Sequence, residues 1–153
     1  MEIYDYAREF MCRTGNPNQW INGYPTAELI RQEIENRHSF VCEDETGETV
    51  GTFCFILGED PTYHRIENGT WLNDEPYGTI HRLASNGKTK GLFSQCLAWC
   101  SERCPNIRAD TYRDNLIMRT AFEKNGFKEC GIIYVANGTP RIAYQKACIF
   151  PCQ

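Results

Sequence analysis

The chain has 153 residues, of which 41% are hydrophobic and 24% charged, and its formal net charge is −4. This length predicts one domain over 1–153 with a sizeable core, and the composition is ordinary for a soluble globular protein. The acidic balance disfavours a nucleic-acid partner, and the absence of a long apolar run disfavours a membrane partner. The N-terminus, MEIYDYAREFM, lacks the basic and then apolar order of a secretory signal, which favours a cytoplasmic protein.

The first half of the chain predicts two amphipathic helices followed by a hairpin. Apolar residues recur at helical spacing in both helices, and Thr26 is placed to cap the second. The second strand of the hairpin is apolar on both faces, which indicates burial. The segment 63–73 allows either a short helix or a loop. The predicted elements are helices Glu2–Arg13 and Ala27–Asn36 and strands Ser39–Glu43 and Thr49–Leu57.

The second half alternates strands and helices before it ends in two consecutive strands. This order predicts an α/β fold with a mixed sheet, in which crossover helices join the parallel pairs. The predicted elements are strand Tyr77–Ala84, helix Gly91–Arg103, strand Ile107–Thr111, helix Leu116–Asn125, strand Phe127–Val135 and strand Arg141–Lys146.

Nine cysteines are the unusual feature of the composition. No CxxC or CxxH spacing occurs, so no metal site is predicted. Cys96, Cys100 and Cys104 fall on one face of a predicted helix, where reduced cysteine behaves as a small buried hydrophobe. This pattern favours a reducing compartment. For Cys148 and Cys152, in the C-terminal tail, the sequence gives the least information about burial and redox state.

The stretch from Ile80 to Ser94, IHRLASNGKTKGLFS, runs from a strand through a polar turn into a helix. Lys88 and Lys90 supply positive charge, and glycines in the turn let the backbone approach an anion closely. The helix start adds free N–H groups and a favourable dipole, which suits a pyrophosphate. The spacing matches neither a P-loop nor a dinucleotide-binding turn. A solvated basic turn without a ligand is the alternative.

Two stretches of the second half resemble the GNAT superfamily of N-acetyltransferases, in particular its small bacterial members. The acetyl-CoA motif of that family, [RQ]-x-x-G-x-[GA], maps onto KTKGLF at 88–93, and the sequences DTYRDN, ending at Asn115, and FEKNGF at 122–127 resemble its next two signatures. The resemblance implies a GNAT-like mixed central β-sheet flanked by helices, acetyl-CoA as the cofactor, and a small-molecule or peptide amine as the acceptor. The residues it assigns to the cofactor are Leu83, Ala84, Ser85, Gly87, Lys88, Thr89, Lys90, Gly91, Leu92, Phe93, Ser94, Asn115, Phe122 and Lys124.

The chain departs from the family pattern in four respects, the first of which is Lys88 in place of the usual Arg or Gln. The family begins with a strand before its first helix, whereas this chain begins inside or just before that helix, so the first strand is predicted to be missing. The sheet would then have an open edge, which a second copy could cover in a homodimer. Phe93 replaces a small residue and is expected to narrow the approach to the pyrophosphate. Phe122 stands where many members have a tyrosine that protonates the departing thiolate, and phenylalanine cannot do so.

The resemblance implies direct attack of a primary amine on the thioester, which requires a base near neutral pH. His81 is the residue of the right type closest to the expected thioester. Glu75 is the alternative, acting directly or through a water. The competing interpretations are that His81 is a structural histidine and that Glu75 is a solvated loop carboxylate.

In the strand before the turn, the N–H of Leu83 or Ala84 is expected to polarise the thioester carbonyl. Strand alternation predicts His81 and Leu83 on one face of the sheet and Ile80 and Arg82 on the other.

No general acid follows from the motifs. Tyr134 and Tyr112 are candidates by reach, although Tyr134 could instead pack in the sheet and solvent could protonate a good leaving group such as a thiolate. Aromatic residues in loops are expected to line the acceptor pocket, or alternatively to cap the edge of the core. These pocket candidates are Trp20, Tyr24, Tyr63 and Tyr77.

Two other functions remain open at this stage. One is a GNAT fold that binds CoA but has lost catalysis, which Phe122 favours. The other is an unrelated α/β regulatory domain that binds no CoA.

Overall fold

The computed structural model describes residues 1–147, in which four α-helices and six β-strands follow in the predicted order, with bounds that agree to within one residue. The segment 63–73 is a loop that follows a single 3-10 turn at Pro61–Tyr63. Cys148 and Cys152 lie outside the described residues. The elements are α1 (Glu2–Arg13), α2 (Ala27–Glu35), β1 (Ser39–Glu43), β2 (Thr49–Leu57), β3 (Gly78–Ser85), α3 (Leu92–Arg103), β4 (Ile107–Thr111), α4 (Leu116–Lys124), β5 (Lys128–Tyr134) and β6 (Pro140–Lys146).

The strands form one mixed sheet in the order β1-β2-β3-β4-β6-β5. The pair β3–β4 is parallel and the other neighbouring pairs are antiparallel. Because parallel neighbours need a crossover connection, α3 crosses from the end of β3 to the start of β4. The predicted mixed α/β fold is therefore confirmed. No strand precedes α1 in residues 1–147, so β1 forms an open edge of the sheet.

The parallel strands β3 and β4 part soon after they begin. They are paired only at Gly78–Ile107 and Thr79–Arg108, although β3 continues to Ser85. On its other side β3 stays paired with β2 as far as Ser85. Beyond Thr79 the backbone groups of β3 that face β4 therefore have no partner in that strand, which leaves them available to a ligand.

A β-bulge in β3 changes which side chains share a face. Arg82 and Leu83 together lie opposite one residue of β2, and Arg82 has a left-handed φ of 53°. Ile80 and Leu83 both pack on the core under α3, whereas Arg82 reaches Glu33 of α2 on the other side. The predicted alternation, with Leu83 beside His81 and Arg82 beside Ile80, is wrong because the extra residue of the bulge shifts the pattern by one.

Helices α3 and α4 cover one face of the sheet, and α1, α2 and the loop after β2 cover the other. Cys96 and Cys100 are buried in the core beneath α3, and the seven cysteines of residues 1–147 are free thiols, as predicted. Cys54 and Cys130 are also buried, Cys42 and Cys104 are half-buried, and Cys12 is exposed. None of the helices in residues 1–147 combines the length and the apolar character that crossing a bilayer requires.

Candidate active site

A cavity of about 650 Å³ opens where β3 and β4 part, and it passes through the sheet. On the side of α3 and α4 its wall includes Leu83, Phe93 and Met118. On the opposite side its wall comes from the α1–α2 loop, the loop after β2 and the β5–β6 turn. Two ligands that enter from opposite faces of the sheet can therefore meet between the parted strands.

His81 lines the cavity, and its Nε2 atom lies 3.0 Å from Oδ2 of Asp60. Burial raises the pKa of Asp60, but hydrogen bonds from His81 and Thr62 outweigh it and lower that pKa to about 2. Asp60 is thus ionised at neutral pH and can only accept, so Nε2 of His81 carries the proton. Nδ1 of neutral His81 makes no hydrogen bond within residues 1–147, and it keeps a lone pair that can take up a proton.

Two further carboxylates line the cavity. Asp110 of β4 accepts a 2.6 Å hydrogen bond from Oη of Tyr63. Burial, and then the negative charge of Asp110, raise the pKa of Tyr63 well above its usual value, so the hydroxyl remains a donor. Glu33 accepts from Nη1 of Arg82 at 2.9 Å, and Nε of Arg82 donates to Oη of Tyr24. The charge of Glu33 is therefore balanced locally, while Asp110 has only a neutral donor.

Gln19 fastens the α1–α2 loop over one end of the cavity. Its Oε1 atom accepts hydrogen bonds from the side chains of Asn16 at 2.9 Å, Thr111 at 3.2 Å and Asn115 at 3.1 Å. The backbone N–H of Tyr112 donates to the same oxygen at 3.3 Å. One amide oxygen thus joins the loop to the end of β4 and to the start of α4.

The start of α3 has the features of an anion site. Gly91 is the N-cap residue and has a left-handed φ of 71°, which glycine adopts without strain. The amides at 92–94 in the first helical turn have no hydrogen-bond partner in the described part of the chain. These N–H groups and the helix dipole favour a phosphate. Lys88 pairs with Glu48 of the β1–β2 turn at 2.7 Å, so part of the turn's positive charge is already compensated.

Phe93 and Phe122 form the inner wall on the side of α3 and α4. Their ring centroids lie 5.4 Å apart in an edge-to-face arrangement, and Phe122 also packs against Tyr144 at 4.7 Å. The ring of Phe93 packs in this aromatic core and also lines the cavity, and its effect on the approach of the pyrophosphate stays a prediction. Phe122 is only 3% exposed.

The structure brings only some of the predicted catalytic residues to the cavity. Glu75 is exposed before the start of β3, at the opposite end of that strand from the phosphate turn, and its carbonyl accepts from Nδ2 of Asn106. Tyr134 is 37% exposed and donates to Oε2 of Glu67. Neither residue lines the cavity. The predicted site residues that do line it are Trp20, Tyr24, His81, Leu83, Phe93, Asn115 and Phe122.

The other predicted site residues lie behind the cavity wall or outside it. Tyr63 and Tyr77 are buried behind it, where Tyr77 Oη accepts from the backbone N–H of Asp60. Lys124 lies on the exposed side of α4, in a separate shallow groove. The residues of the turn and helix start that do not line the cavity are Ala84, Ser85, Gly87, Lys88, Thr89, Lys90, Gly91, Leu92 and Ser94.

The residues of this site that were not predicted from the sequence include Gln19, Glu33, Asp60, Asp110 and Arg141. Asp60 lies 21 residues before His81 in the chain, and no local pattern joins them. Asp110 falls inside the DTYRDN stretch, which was the only available signal. Asp110 and Arg141 come together through the pairing of β4 and β6, whereas Gln19 and Asp60 reach the site from loops.

Solved structures of acetyltransferases share this architecture. A GNAT-family acetyltransferase of Streptococcus agalactiae is 30% identical, covers 98% of this chain and 88% of its own, and has a TM-score of 0.87. One from Listeria monocytogenes is 19% identical, with coverages of 96% and 86% and a TM-score of 0.69. A Bacillus subtilis acetyltransferase in complex with CoA is 13% identical, with coverages of 82% and 86% and a TM-score of 0.57.

No protein-family model and no curated protein sequence matches the chain. The streptococcal relative carries the assignment, because its 30% identity extends over most of both chains and over the parted strands that form the cavity. The protein is a member of the GNAT family of acetyltransferases.

Proposed function

We propose that the protein transfers an acetyl group from acetyl-CoA to a primary amine by direct attack. The observation that carries this proposal is the cavity through the sheet, with the open amides of α3 beyond one side and the His81–Asp60 pair on the other. A donor and an acceptor that enter from opposite faces would meet beside β3, where the unpaired strand can position a thioester.

The residues present fit acetyl-CoA. The free amides at 92–94 suit its pyrophosphate, and the open edge of β3 beyond Thr79 offers hydrogen bonds to its pantetheine arm. The Bacillus subtilis neighbour, which holds CoA, supports this assignment at the level of the fold. When bound, acetyl-CoA supplies an activated acetyl group, whose C–S bond breaks as the C–N bond to the amine forms.

His81 is the base in this proposal. Its Nδ1 lone pair accepts the proton of the amine, while Asp60 holds the Nε2–H and stabilises the imidazolium that results. Asp60 is ionised at neutral pH, so it serves as a fixed counter-charge. The carboxylates of Asp60 and Asp110 also give the acceptor side of the cavity a negative potential that attracts a cationic amine.

Neither of the tyrosines predicted by reach, Tyr112 and Tyr134, lines the cavity, so neither replaces the missing general acid at position 122. Tyr144 packs on Phe122, but its hydroxyl accepts from Nε of Arg119 at 3.0 Å and it does not line the cavity. Tyr134 bonds Glu67 at the surface. We therefore assign protonation of the thiolate to solvent, which suffices because a thiol is a good leaving group.

The proposal extends to location and assembly. Free cysteines fit a reducing compartment, which supports a cytoplasmic protein. The open edge strand β1, where Val41 is 62% exposed, supports a homodimer that covers this edge. Light scattering on the purified protein tests the assembly, and a monomer at all concentrations would contradict it.

The main experiment combines ligand binding with turnover. Acetyl-CoA is expected to raise the melting temperature of the protein in a concentration-dependent way. Thiol release with a panel of primary amines should then identify acceptors. No change in melting temperature at saturating acetyl-CoA would reject the proposal, whereas stabilisation without turnover of any amine would favour the CoA-binding module that has lost catalysis.

A further inference from the structure

Arg141 is a buried cation in the acceptor side of the cavity that has no carboxylate partner. It is 6% exposed, lines the cavity, and lies at the start of β6 on the face opposite α3 and α4. No carboxylate of residues 1–147 comes within 4.0 Å of its guanidinium. Burial lowers the pKa of Arg141, and the negative charge of Asp110 opposes this only in part because it makes no direct contact with the guanidinium, so this position favours a further anion in contact with it.

The hydrogen bonds of Arg141 leave part of its guanidinium free. Nη1 donates to Oγ1 of Thr139 and to the carbonyl of Pro140, both at 2.9 Å, and Nη2 donates to the carbonyl of Gln19 at 3.0 Å. A guanidinium has five N–H donors, so Nε–H and one Nη2–H remain without an acceptor in residues 1–147. A carboxylate can engage a guanidinium with two parallel hydrogen bonds, and Nε and Nη2 form one edge of the fork.

The other buried arginine on this face is in a different situation. Arg108 lies between the rings of Trp71 at 4.2 Å and Tyr77 at 4.0 Å, and it does not line the cavity. These aromatic faces attract its charge and its Nη2 donates to the carbonyl of Asn73, although its buried Nε has no hydrogen-bond partner within residues 1–147. Arg141 has only the ring of Tyr112, at 5.1 Å, and it faces the cavity instead.

The sheet places Arg141 near the groups that handle the amine. Asp110 pairs with Ala143 across β4 and β6, so Arg141 lies two residues further along the same face. Diagonal neighbours of this kind have backbones about 7–8 Å apart. On the other side of β4 lies β3, where His81 lines the same cavity. One small molecule can therefore reach both the cation and the groups around the base.

We infer that the acceptor is a free amino acid, whose carboxylate binds the open edge of Arg141 while its amine lies toward Asp110 and His81. This inference rests on the proposed function and narrows its acceptor class. The opposite charges of the acceptor match the opposite charges of the cavity wall. A peptide or protein N-terminus lacks a carboxylate beside its amine, so it would leave Arg141 unpaired.

The test begins with the unaltered protein and a panel of L-amino acids. Each amino acid is compared with its amide and with the corresponding amine that lacks the carboxylate, for example L-methionine, L-methioninamide and 3-(methylthio)propylamine. Thiol release measures turnover, and calorimetry of the same compounds with the CoA-loaded protein measures binding. We expect at least one amino acid to be preferred over its amide by roughly 10- to 100-fold in kcat/KM or in Kd.

Two variants of Arg141 test the residue, and Arg108→Gln is the matched control for loss of a buried arginine. Arg141→Gln should raise KM for the amino acid roughly 10- to 100-fold more than it raises KM for the amine, which loses only the anchoring of the Gln19 carbonyl. Arg141→Lys, which keeps the charge but loses the fork, should recover part of the preference. Arg108→Gln should keep the preference, whatever its effect on stability.

The outcomes separate this inference from the proposed function. Amines preferred over amino acids in the unaltered protein, or amino acids that neither bind nor react, would overturn the role of Arg141 while acetyl-CoA still stabilises the fold. An equal loss for amino acid and amine in Arg141→Gln would also overturn it and make Arg141 a loop anchor. Carboxylate-dependent binding without any turnover would support Arg141 as a carboxylate-binding residue, but it would reject both the transferase activity and the amino acid as its acceptor.

Discussion

Asp60 Oδ2 and His81 Nε2 are 3.0 Å apart, and this contact fixes the tautomer of the histidine. The carboxylate also accepts from the N–H and the hydroxyl of Thr62, so it is held from two sides. Because its pKa lies at about 2, the carboxylate is ionised wherever the protein is folded near neutral pH. In the neutral form of His81 the lone pair therefore lies on Nδ1, which is the atom available to act as a base.

Replacement of the base tests this assignment directly. His81→Gln should lower kcat about 100-fold, because proton transfer by a placed base contributes rates of that order. Glu75→Gln is the comparison, since it removes the exposed carboxylate outside the cavity and should leave kcat within about twofold. Steady-state kinetics of both variants with one reactive amine measure these changes in kcat. A large loss in Glu75→Gln with full activity in His81→Gln would reverse the assignment.

The Asp60–His81 contact also predicts how stability depends on pH. The folded pKa of Asp60 lies below its unfolded value of 3.8, so its contribution is fully present above pH 5 and is lost as the pH falls toward 2. A shift to about 2 corresponds to roughly 2 kcal/mol. Urea unfolding from pH 6 to pH 2.5 should show this loss in the unaltered protein and a shallower slope in Asp60→Asn. If the free energy of unfolding falls equally steeply with pH in both proteins, the folded state does not specially stabilise the carboxylate of Asp60.

The predicted cofactor site at the start of α3 can be tested by substituting two glycines that have similar left-handed backbone conformations. Gly91 and Gly47 have φ values of 71° and 86°, and an added Cβ would meet no atom within 4 Å at either position. Gly91→Glu should abolish stabilisation by acetyl-CoA, because it sets a negative charge beside the expected pyrophosphate. Gly47→Glu, with the same strain and charge in the β1–β2 turn, should keep it. If both variants respond alike to acetyl-CoA in thermal unfolding, the cofactor site is misplaced.

Gln19 is expected to matter for both stability and the acceptor. Gln19→Met removes the oxygen shared by Asn16, Thr111, Tyr112 and Asn115, which should lower the free energy of unfolding by about 1–3 kcal/mol. Release of the α1–α2 loop should also raise KM for the amine. Gln32→Met, on the exposed face of α2, is the control and should change neither quantity. Chemical denaturation and kinetics of both variants provide the measurements, and identical behaviour would contradict the role of Gln19.

Restoring a tyrosine at position 122 tests how the thiolate is protonated. Phe122 is packed by Phe93, Phe127 and Tyr144, so Phe122→Tyr should cost about 1–2 kcal/mol of stability for a buried hydroxyl. With solvent as the proton source, kcat should stay within about threefold. Phe127→Tyr, in the same core but not in the cavity wall, controls for the packing effect. A tenfold rise in kcat for Phe122→Tyr alone would show that protonation limits the reaction.

Local sequence patterns were sufficient to predict the elements and their order, and they indicate a phosphate-binding turn before α3. Helical spacing, the strand runs and the glycines at positions such as Gly91 are local, and each depends on residues a few positions apart. The resemblance to the GNAT family rests on the same local stretches, which is why the family and the position of the expected cofactor could be predicted. The free, buried cysteines of α3 followed from helix periodicity in the same way.

Which side chains come together in the site depends on the tertiary fold and could not be predicted from local patterns. The bulge at Arg82 reversed the expected faces of β3, because one inserted residue shifts every side chain that follows. Asp60 beside His81, and Arg141 on the same face as Asp110, depend on strand order and register, which join residues far apart in the chain. Glu75 and Tyr134 were candidates by residue type and reach, yet they lie away from the cavity for the same reason. A motif specifies a backbone conformation, whereas a site requires side chains from separate strands to converge, and that convergence is a property of the folded sheet.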